Sequence, residues 1–186
     1  MLEHNLFRGK SIRLTELGQE DIATITQWYQ NSEFGRLFDA DPAYPRSQRH
    51  WKSWFDEEDK DKNTFVFGIR PLDNERLMGI ATLDGILWPH QTAWLAIGIG
   101  DTHQRGRGYG TEALRLLIHF GFYELNLYRL QLSVFEYNTR AIAVYERLGF
   151  TREGTYRQFL AREGKRYDMY LYGLLRDEWT SSTTRP

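Results

Sequence analysis

The chain has 186 residues, 41% of them hydrophobic and 15% aromatic, with a formal net charge of −1 and no cysteine. Disulfides and thiolate–metal sites are thereby excluded, and the charge balance offers no broad basic footprint for nucleic acid. No apolar run is long enough to span a bilayer, and Met1–Arg8 lacks the apolar segment of a signal peptide. A cytoplasmic protein is expected, without a nucleic-acid or membrane partner; a homo-oligomer is left open.

One domain is expected over residues 1–186, with its core at about 11–179. Ile12 and Leu14 alternate with polar residues as in a short strand. Asp21 is placed to cap a helix that carries Ile22, Ile25 and Trp28-Tyr29 at helical spacing. Asn31 to Ser47 holds Gly35, Pro42 and Pro45 and reads as loop or broken helix. Ser47 can cap a second helix through Trp51, Trp54 and Phe55, and a charged run, Asp56 to Lys62, leads out of it. Phe65 to Ile69 and Leu77 to Leu87 read as strands joined at Asp73-Asn74, with a further turn at Trp88-Pro89-His90. Ala93 to Ile99 is a nearly continuous apolar strand, as for one buried on both faces.

A glycine-rich loop, Asp101 to Gly110, follows, and Ala113, Leu114, Leu117, Ile118 and Phe122 then repeat at helical spacing. Arg129 to Phe135 reads as a strand, and Asn138 to Leu148 as a helix that Gly149 can terminate. Strand, loop, helix, strand implies that 93–99 and 129–135 run parallel. Thr151 to Leu160 and Tyr167 to Leu175 form a last hairpin around Glu163-Gly164-Lys165, and Thr180 to Pro186 is a polar, frayed tail. The fold class is α/β: a mixed, mostly antiparallel sheet with a central parallel pair, flanked by helices.

Arg105-Gly106-Arg107-Gly108-Tyr109-Gly110 lies between a buried strand and a helix start. Glycines let backbone approach a ligand, and the free amides and dipole at a helix N-terminus favour an anion, so a phosphate-bearing ligand fits. The plain alternative is a structural turn. A P-loop is excluded because Thr111-Glu112 follows Gly110. Gly108 to Ala113 does match the dinucleotide pattern G-x-G-x-x-A, with Glu136 beyond the next strand. Against that rival stand the long loop before Gly108, the closing antiparallel hairpin and the late position of the motif.

The same residues fit the Q/R-x-x-G-x-G/A motif of the GNAT acyltransferases. Asn138-Thr139-Arg140-Ala141-Ile142-Ala143-Val144-Tyr145-Glu146-Arg147-Leu148-Gly149-Phe150 resembles that superfamily's N-x-x-A-x-x-x-Y-x-x-x-G-F. The order of elements from about Ser11 to Trp179 is similar to the GNAT fold. Within the superfamily the chain most resembles the ribosomal-protein N-terminal and spermidine N-acetyltransferases, with Glu153-Gly154 and the turn Glu163 to Asp168 in support.

The resemblance implies acetyl-CoA as cofactor and a primary amine as acceptor: a polyamine, a protein N-terminus or another small amine. It implies two parallel strands splayed at their ends, with the pantetheine arm on the backbone of the first, at Leu95, Ile97, Gly98 and Ile99. Gln104, Arg105, Gly106, Arg107, Gly108, Gly110 and Thr111 would hold the phosphates, and Asn138 would bond the pantetheine or the loop near the thioester. Asn138 also reads as an ordinary N-cap. Tyr145 would serve the leaving thiolate as general acid or hydrogen-bond donor; its other reading is core, in a stripe with Ala141, Val144 and Leu148. A non-catalytic CoA-binding regulator and a dinucleotide-binding oxidoreductase are the alternatives from other classes.

Many relatives carry a glutamate in the strand equivalent to Ala93–Ile99, and this one has no acid. Asp84, His90 or a water chain remain as bases, the first two reading equally as turn residues. No histidine or carboxylate spacing suits a metal, and no serine nucleophile elbow is present, so direct transfer in a ternary complex is the simplest mechanism. For the acceptor, Glu33, Asp39 and Asp41 can attract a cation, and Phe34, Phe38 and Tyr44 can pack an aliphatic chain. Those acids read equally as solvated loop residues.

Overall fold

Antiparallel pairing builds all but one joint of a seven-stranded sheet, and that joint positions everything else. The computed structural model describes residues 5–58 and 61–183. In chain order the elements are β1 (Ile12–Thr15), α1 (Ile22–Trp28), α2 (Ser32–Phe38), α3 (Gln48–Glu58), β2 (Phe65–Pro71), β3 (Gly79–Leu87), β4 (Thr92–Ile99), α4 (Tyr109–His119), β5 (Arg129–Phe135), α5 (Thr139–Arg147), β6 (Thr151–Arg162), β7 (Lys165–Leu175) and α6 (Arg176–Thr183). The spatial order is β1-β2-β3-β4-β5-β7-β6. Only β4 and β5 are parallel, joined through α4 as the chain order implied.

Strand alternation divides the core between the two faces. Ala93 and Leu95 of β4 and Leu130, Leu132 and Val134 of β5 point to the face covered by α4 and α5, where Ala113, Leu114, Leu117, Ile118, Tyr145 and Leu148 meet them. The opposite face carries Ile22, Ile25, Trp28, Phe34 and Trp51 from α1, α2 and α3 against Ile80 and Leu77. β4 itself differs from the expectation of burial on both faces. Trp94 is 39% exposed, and Ala96 to Ile99 are only partly buried. The cause is the pairing: β5 meets β4 only at Thr92, Ala93 and Trp94, then follows β7 along its whole length.

Four other boundaries also differ. The segment read as loop or broken helix contains α2, which Asn31 caps by accepting the Glu33 N–H at 2.9 Å. Leu77 and Met78 precede β3; the Met78 carbonyl accepts the N–H groups of both Gly100 and Asp101, which leaves it out of the regular ladder. The chain remains helical to Thr183 beyond the expected end at Trp179, and 184–186 of the expected tail lie outside the described residues. The last hairpin is longer than expected and closes on Glu163-Gly164, both at positive φ, as a two-residue turn of matching twist requires.

Asp21 does not cap α1 with its side chain. A short 3-10 turn, Gln19–Asp21, precedes the helix, and the Asp21 carboxylate accepts the Gly18 N–H at 3.0 Å. Its main partner is Arg70 on β2, whose Nη2 donates to both oxygens at 2.8 and 2.7 Å. Arg70 also donates to Thr15 Oγ1 at 3.0 Å and to the Glu75 carbonyl at 2.5 Å, so this buried guanidinium binds α1 to β1, β2 and the next turn. Removing one partner of such a pair strands a buried charge and typically costs ~3–5 kcal/mol. Asp21→Ala should therefore lower the urea midpoint by that equivalent with an unchanged slope. Asp21→Leu combined with Arg70→Met should recover most of the loss.

Candidate active site

Past Trp94, the β5-facing edge of β4 has no strand partner, so its backbone groups between residues 95 and 99, the Ile99 carbonyl apart, face an open gap. A ligand carrying amides could complete that edge as a strand would. The gap runs into the glycine loop. Gly106 and Gly108 have φ of 84° and 88°, the left-handed region that glycine enters without steric cost. Gly108 is the N-cap of α4, and the first intrahelical bond runs from the Glu112 N–H to the Gly108 carbonyl at 3.0 Å. The amides before it are the unpaired donors of a helix start, aimed out along its dipole. A Cβ built on Gly108 meets nothing within 4 Å, so the loop leaves room over these donors for a phosphate. The described residues thus fit the expected CoA: a free strand edge for its amides and a glycine cradle for its phosphates.

The individual candidates divide. Gly106, Arg107 and Gly108 are exposed on the loop, while Gln104, Gly110 and Thr111 are half-buried beside it. Arg105 is turned away from the cradle: its Nε donates to the Ile99 carbonyl at 3.0 Å and its Nη1 to Glu33 at 2.7 Å. Leu95 sends its side chain into the core, so only its backbone reaches the gap. Gly98 admits α2. A Cβ there would come within 2.7 Å of Phe38, which stacks on Phe34 at 5.5 Å. Arg140, not singled out from the sequence, faces the loop, with its Nη2 3.0 Å from a Cβ built on Gly106. A basic residue in the first turn of α5 was the available signal.

Asn138 caps α5, accepting the Ala141 N–H at 3.3 Å, so the ordinary N-cap reading holds geometrically whatever else the residue touches. Tyr145 is buried at 7% exposure, and burial pushes its phenol up to about 12. Its position is held from the backbone. Gly149, at φ 94°, closes α5 with its N–H on the Glu146 carbonyl, and the Phe150 N–H bonds the Tyr145 carbonyl at 3.1 Å. This is a Schellman end, and its usual apolar contact is the Phe150 ring set edge-on to Tyr145 at 5.9 Å.

On the opposite face, the acids expected to attract a cation are already matched. Glu33 holds Arg105, Asp39 and Asp41 lie 3.3 and 3.6 Å from Arg46, and Glu163 holds Arg36 at 2.6 Å. Arg162 from β6 donates to the carbonyls of Asp39, Ala40 and Asp41, and the Tyr137 hydroxyl donates to that of Arg36. These ties fasten α2 and its following loop to the final hairpin and to the turn before α5, and no local sequence signal marked them. Tyr44 is exposed, with the Arg46 guanidinium 5.6 Å from its ring. His90 is exposed on the turn before β4, whereas Asp84 is half-buried on β3. No group of three metal-ligating side chains occurs among the described residues, and none of their helices is long and apolar enough to cross a membrane.

Residues 11–151 match the family model described as an acetyltransferase (GNAT) domain. The chain is 31% identical over 144 residues to the spermidine N(1)-acetyltransferase of Escherichia coli, covering 77% of this chain and 75% of the relative. It is 26% identical over 143 residues to the [ribosomal protein uS5]-alanine N-acetyltransferase of the same organism, covering 76% and 73%. The crystal structure of spermidine N-acetyltransferase from Vibrio cholerae in complex with CoA and spermine superposes with a TM-score of 0.84 at 21% identity, over 92% of this chain and 99% of that one.

Gly108→Val tests the cradle. A side chain at this φ costs ~1–2 kcal/mol of stability and projects into the space over the donors, so CoA affinity measured by calorimetry should fall more than tenfold. Gly164→Ala is the control, since its φ of 75° and open surroundings impose similar strain at the hairpin tip. It should leave CoA affinity unchanged.

Proposed function

The chain belongs to the GNAT acetyltransferase family and moves an acetyl group from acetyl-CoA to an amine, and on that premise we propose direct transfer in a ternary complex, with Tyr145 serving the leaving sulfur. The observation that carries this is the gap opening at Leu95, which leads from the glycine cradle to the middle of the sheet. The donor enters from the α4–α5 side, and the amine approaches from the face of α2 and the hairpin. The chain contains no cysteine, so a thioester acyl-enzyme has no nucleophile, and the amine attacks the bound thioester itself.

Tyr145 acts as a hydrogen-bond donor more than as a proton source. Its phenol sits near 12, whereas a free thiol has a pKa of ~8.5. Handing the whole proton to the thiolate would be uphill, while donating a hydrogen bond to charge as it gathers on sulfur is favourable. The same high value keeps the phenol protonated throughout the working pH range.

The charge arrangement favours an acceptor that presents one amine over a polyamine. Around the α2 loop, Glu33, Asp39, Asp41 and Glu163 are balanced by Arg36, Arg46, Arg105 and Arg162. A polycation would have to displace those arginines, whereas a protein N-terminus or small monoamine would not. The two named relatives, one acting on spermidine and one on a ribosomal-protein alanine, bracket these choices. An acetyl-CoA-dependent screen should show a higher kcat/KM for an alanine-initiated peptide or simple monoamine than for spermidine; the reverse order would overturn the preference.

Acetyl-CoA at ~100-fold its Kd should stabilise the fold by about 2.7 kcal/mol, visible as a raised Tm, and NAD should not. Tyr145→Phe keeps the ring and the helix end. It should lower kcat, by up to ~10²-fold given that one neutral donor is lost from a general-acid effect of 10²–10⁴, with acetyl-CoA Kd unchanged. Normal turnover in a variant that melts early would make Tyr145 a core residue only.

A further inference from the structure

We propose that Asp84, on β3, is the carboxylate that receives the proton of the incoming ammonium, oriented by the Thr82 hydroxyl and set beside Trp94 at the point where β4 and β5 part. This rests on the acetyl-transfer reading above and supplies the base that β4 lacks.

Register places it. Asp84 pairs with Trp94, and Trp94 with Gln131, the last pair before β5 diverges. Side chains of paired residues share a face, so Asp84, Trp94 and Gln131 lie in one row across the apex of the gap. They stand on the side that carries α2 and away from α4 and α5. Asp84 is therefore one strand spacing, ~5 Å, from the β4 backbone where the gap begins. A regular strand would continue past it, but β3 shifts register between Asp84 and Leu87, with Gly85 at φ 55° under the Trp94 indole. Such bulges commonly re-aim a side chain beside an active site.

Its electrostatic setting separates it from the acids of the α2 segment and from Glu153 and Glu163 of the last hairpin. Glu33, Asp39, Asp41, Glu163 and Glu153 each face an arginine within 4.0 Å, whereas no ion-pair partner of Asp84 occurs among the described residues. Its one hydrogen bond is from Thr82 Oγ1 at 3.1 Å. Burial raises its carboxyl above the ordinary range, the Thr82 hydrogen bond opposes that rise, and the charge of Asp61 adds to it. Asp61 is the charged neighbour from the turn before β2. Across β4 and β5 the facing groups Trp94 and Gln131 are uncharged, and Arg129, two residues before Gln131 on β5, donates to Gln131 at 3.1 Å and is held by Glu153. A half-buried acid without a cation is a poor element of stability and a suitable receiver for an ammonium.

The proton balance closes. The ammonium gives one proton to Asp84, directly or through a water, and becomes the neutral nucleophile. Its nitrogen bonds the acetyl carbon, the carbon–sulfur bond breaks, and the electron pair leaves on sulfur under the Tyr145 hydrogen bond. The second nitrogen proton passes to the thiolate to give the thiol, and Asp84 returns its proton to solvent.

The test compares amines by basicity. With an alkylamine, which is protonated at neutral pH (pKa ~10), Asp84→Asn should lower kcat by ~10²–10⁴-fold and leave acetyl-CoA Kd unchanged. With a hydrazide, neutral at the same pH, the loss should shrink to within a few fold. Thr82→Val removes the contact that holds the carboxyl down, so the acid limb of kcat/KM should move to higher pH while the fold is retained. Equal losses on both acceptors, or an acid limb unmoved in Thr82→Val, would reduce Asp84 to a packing residue. Failure of the transfer reading itself would show differently, as no CoA thiol released by the unaltered protein with any amine.

Discussion

A backbone edge deep in a sheet has to be paired, and in this protein β4 loses its partner after three residue pairs. The arrangement depends on that constraint. β5 leaves β4 yet stays with β7 along its full length, through seven registered pairs from Arg129 to Phe135. The gap that results is lined by amides and carbonyls on one side, by aliphatic side chains from β4 and β5 below, and by a helix start at its mouth. A pantetheine arm, itself a chain of amides ending in phosphates, is the complement of that surface. The polar demand of an incomplete sheet is thus what an amide-bearing donor can meet.

On the acceptor side, charge is organised by cancellation. The α2 segment is tied to the sheet through Arg105, to the turn between β5 and α5 through Tyr137, and to the hairpin through Arg162 and the Arg36–Glu163 pair. Exposed pairs of this kind each contribute little, ~0–1 kcal/mol, but together they hold the loop in one place with almost no net charge. Against that neutral background Asp84, which has no ion-pair partner among the described residues, is the carboxylate proposed to meet an approaching ammonium. Arg105 gains a second meaning here. It lies in the glycine loop yet touches Glu33 of α2, so the phosphate end and the acceptor end share a side chain.

Much of this was legible in the residue pattern. The strands and helices from β2 onward follow from alternation and helical spacing, and the parallel pair follows from a strand–helix–strand order. The glycine loop stood out because Gly106 and Gly108 occupy backbone angles other residues avoid. What stayed hidden depends on partners distant in sequence. Asp21 looked like a helix cap because its real partner, Arg70, is 49 residues away. Glu33, Asp39 and Asp41 looked available because nothing local announces Arg105 or Arg46 as their counter-ions. Ala93 to Ile99 looked doubly buried because an apolar run does not report where its neighbour departs. Asp84 was named only as one of two turn-like acids or bases; the bulge that sets it at the apex belongs to pairing, not to composition.

The end of α5 has a consequence of another kind. Tyr145 is fastened by its own carbonyl to Phe150 across Gly149, and Thr151 enters β6 at once, already paired with Gly173. Inserting or deleting a single residue between Tyr145 and Thr151 would either break this helix end or shift β6 out of its register with β7. This connection is therefore constrained in length more than in chemistry. Among natural variants of the chain, it is where substitutions should be common on the exposed side and changes of length absent.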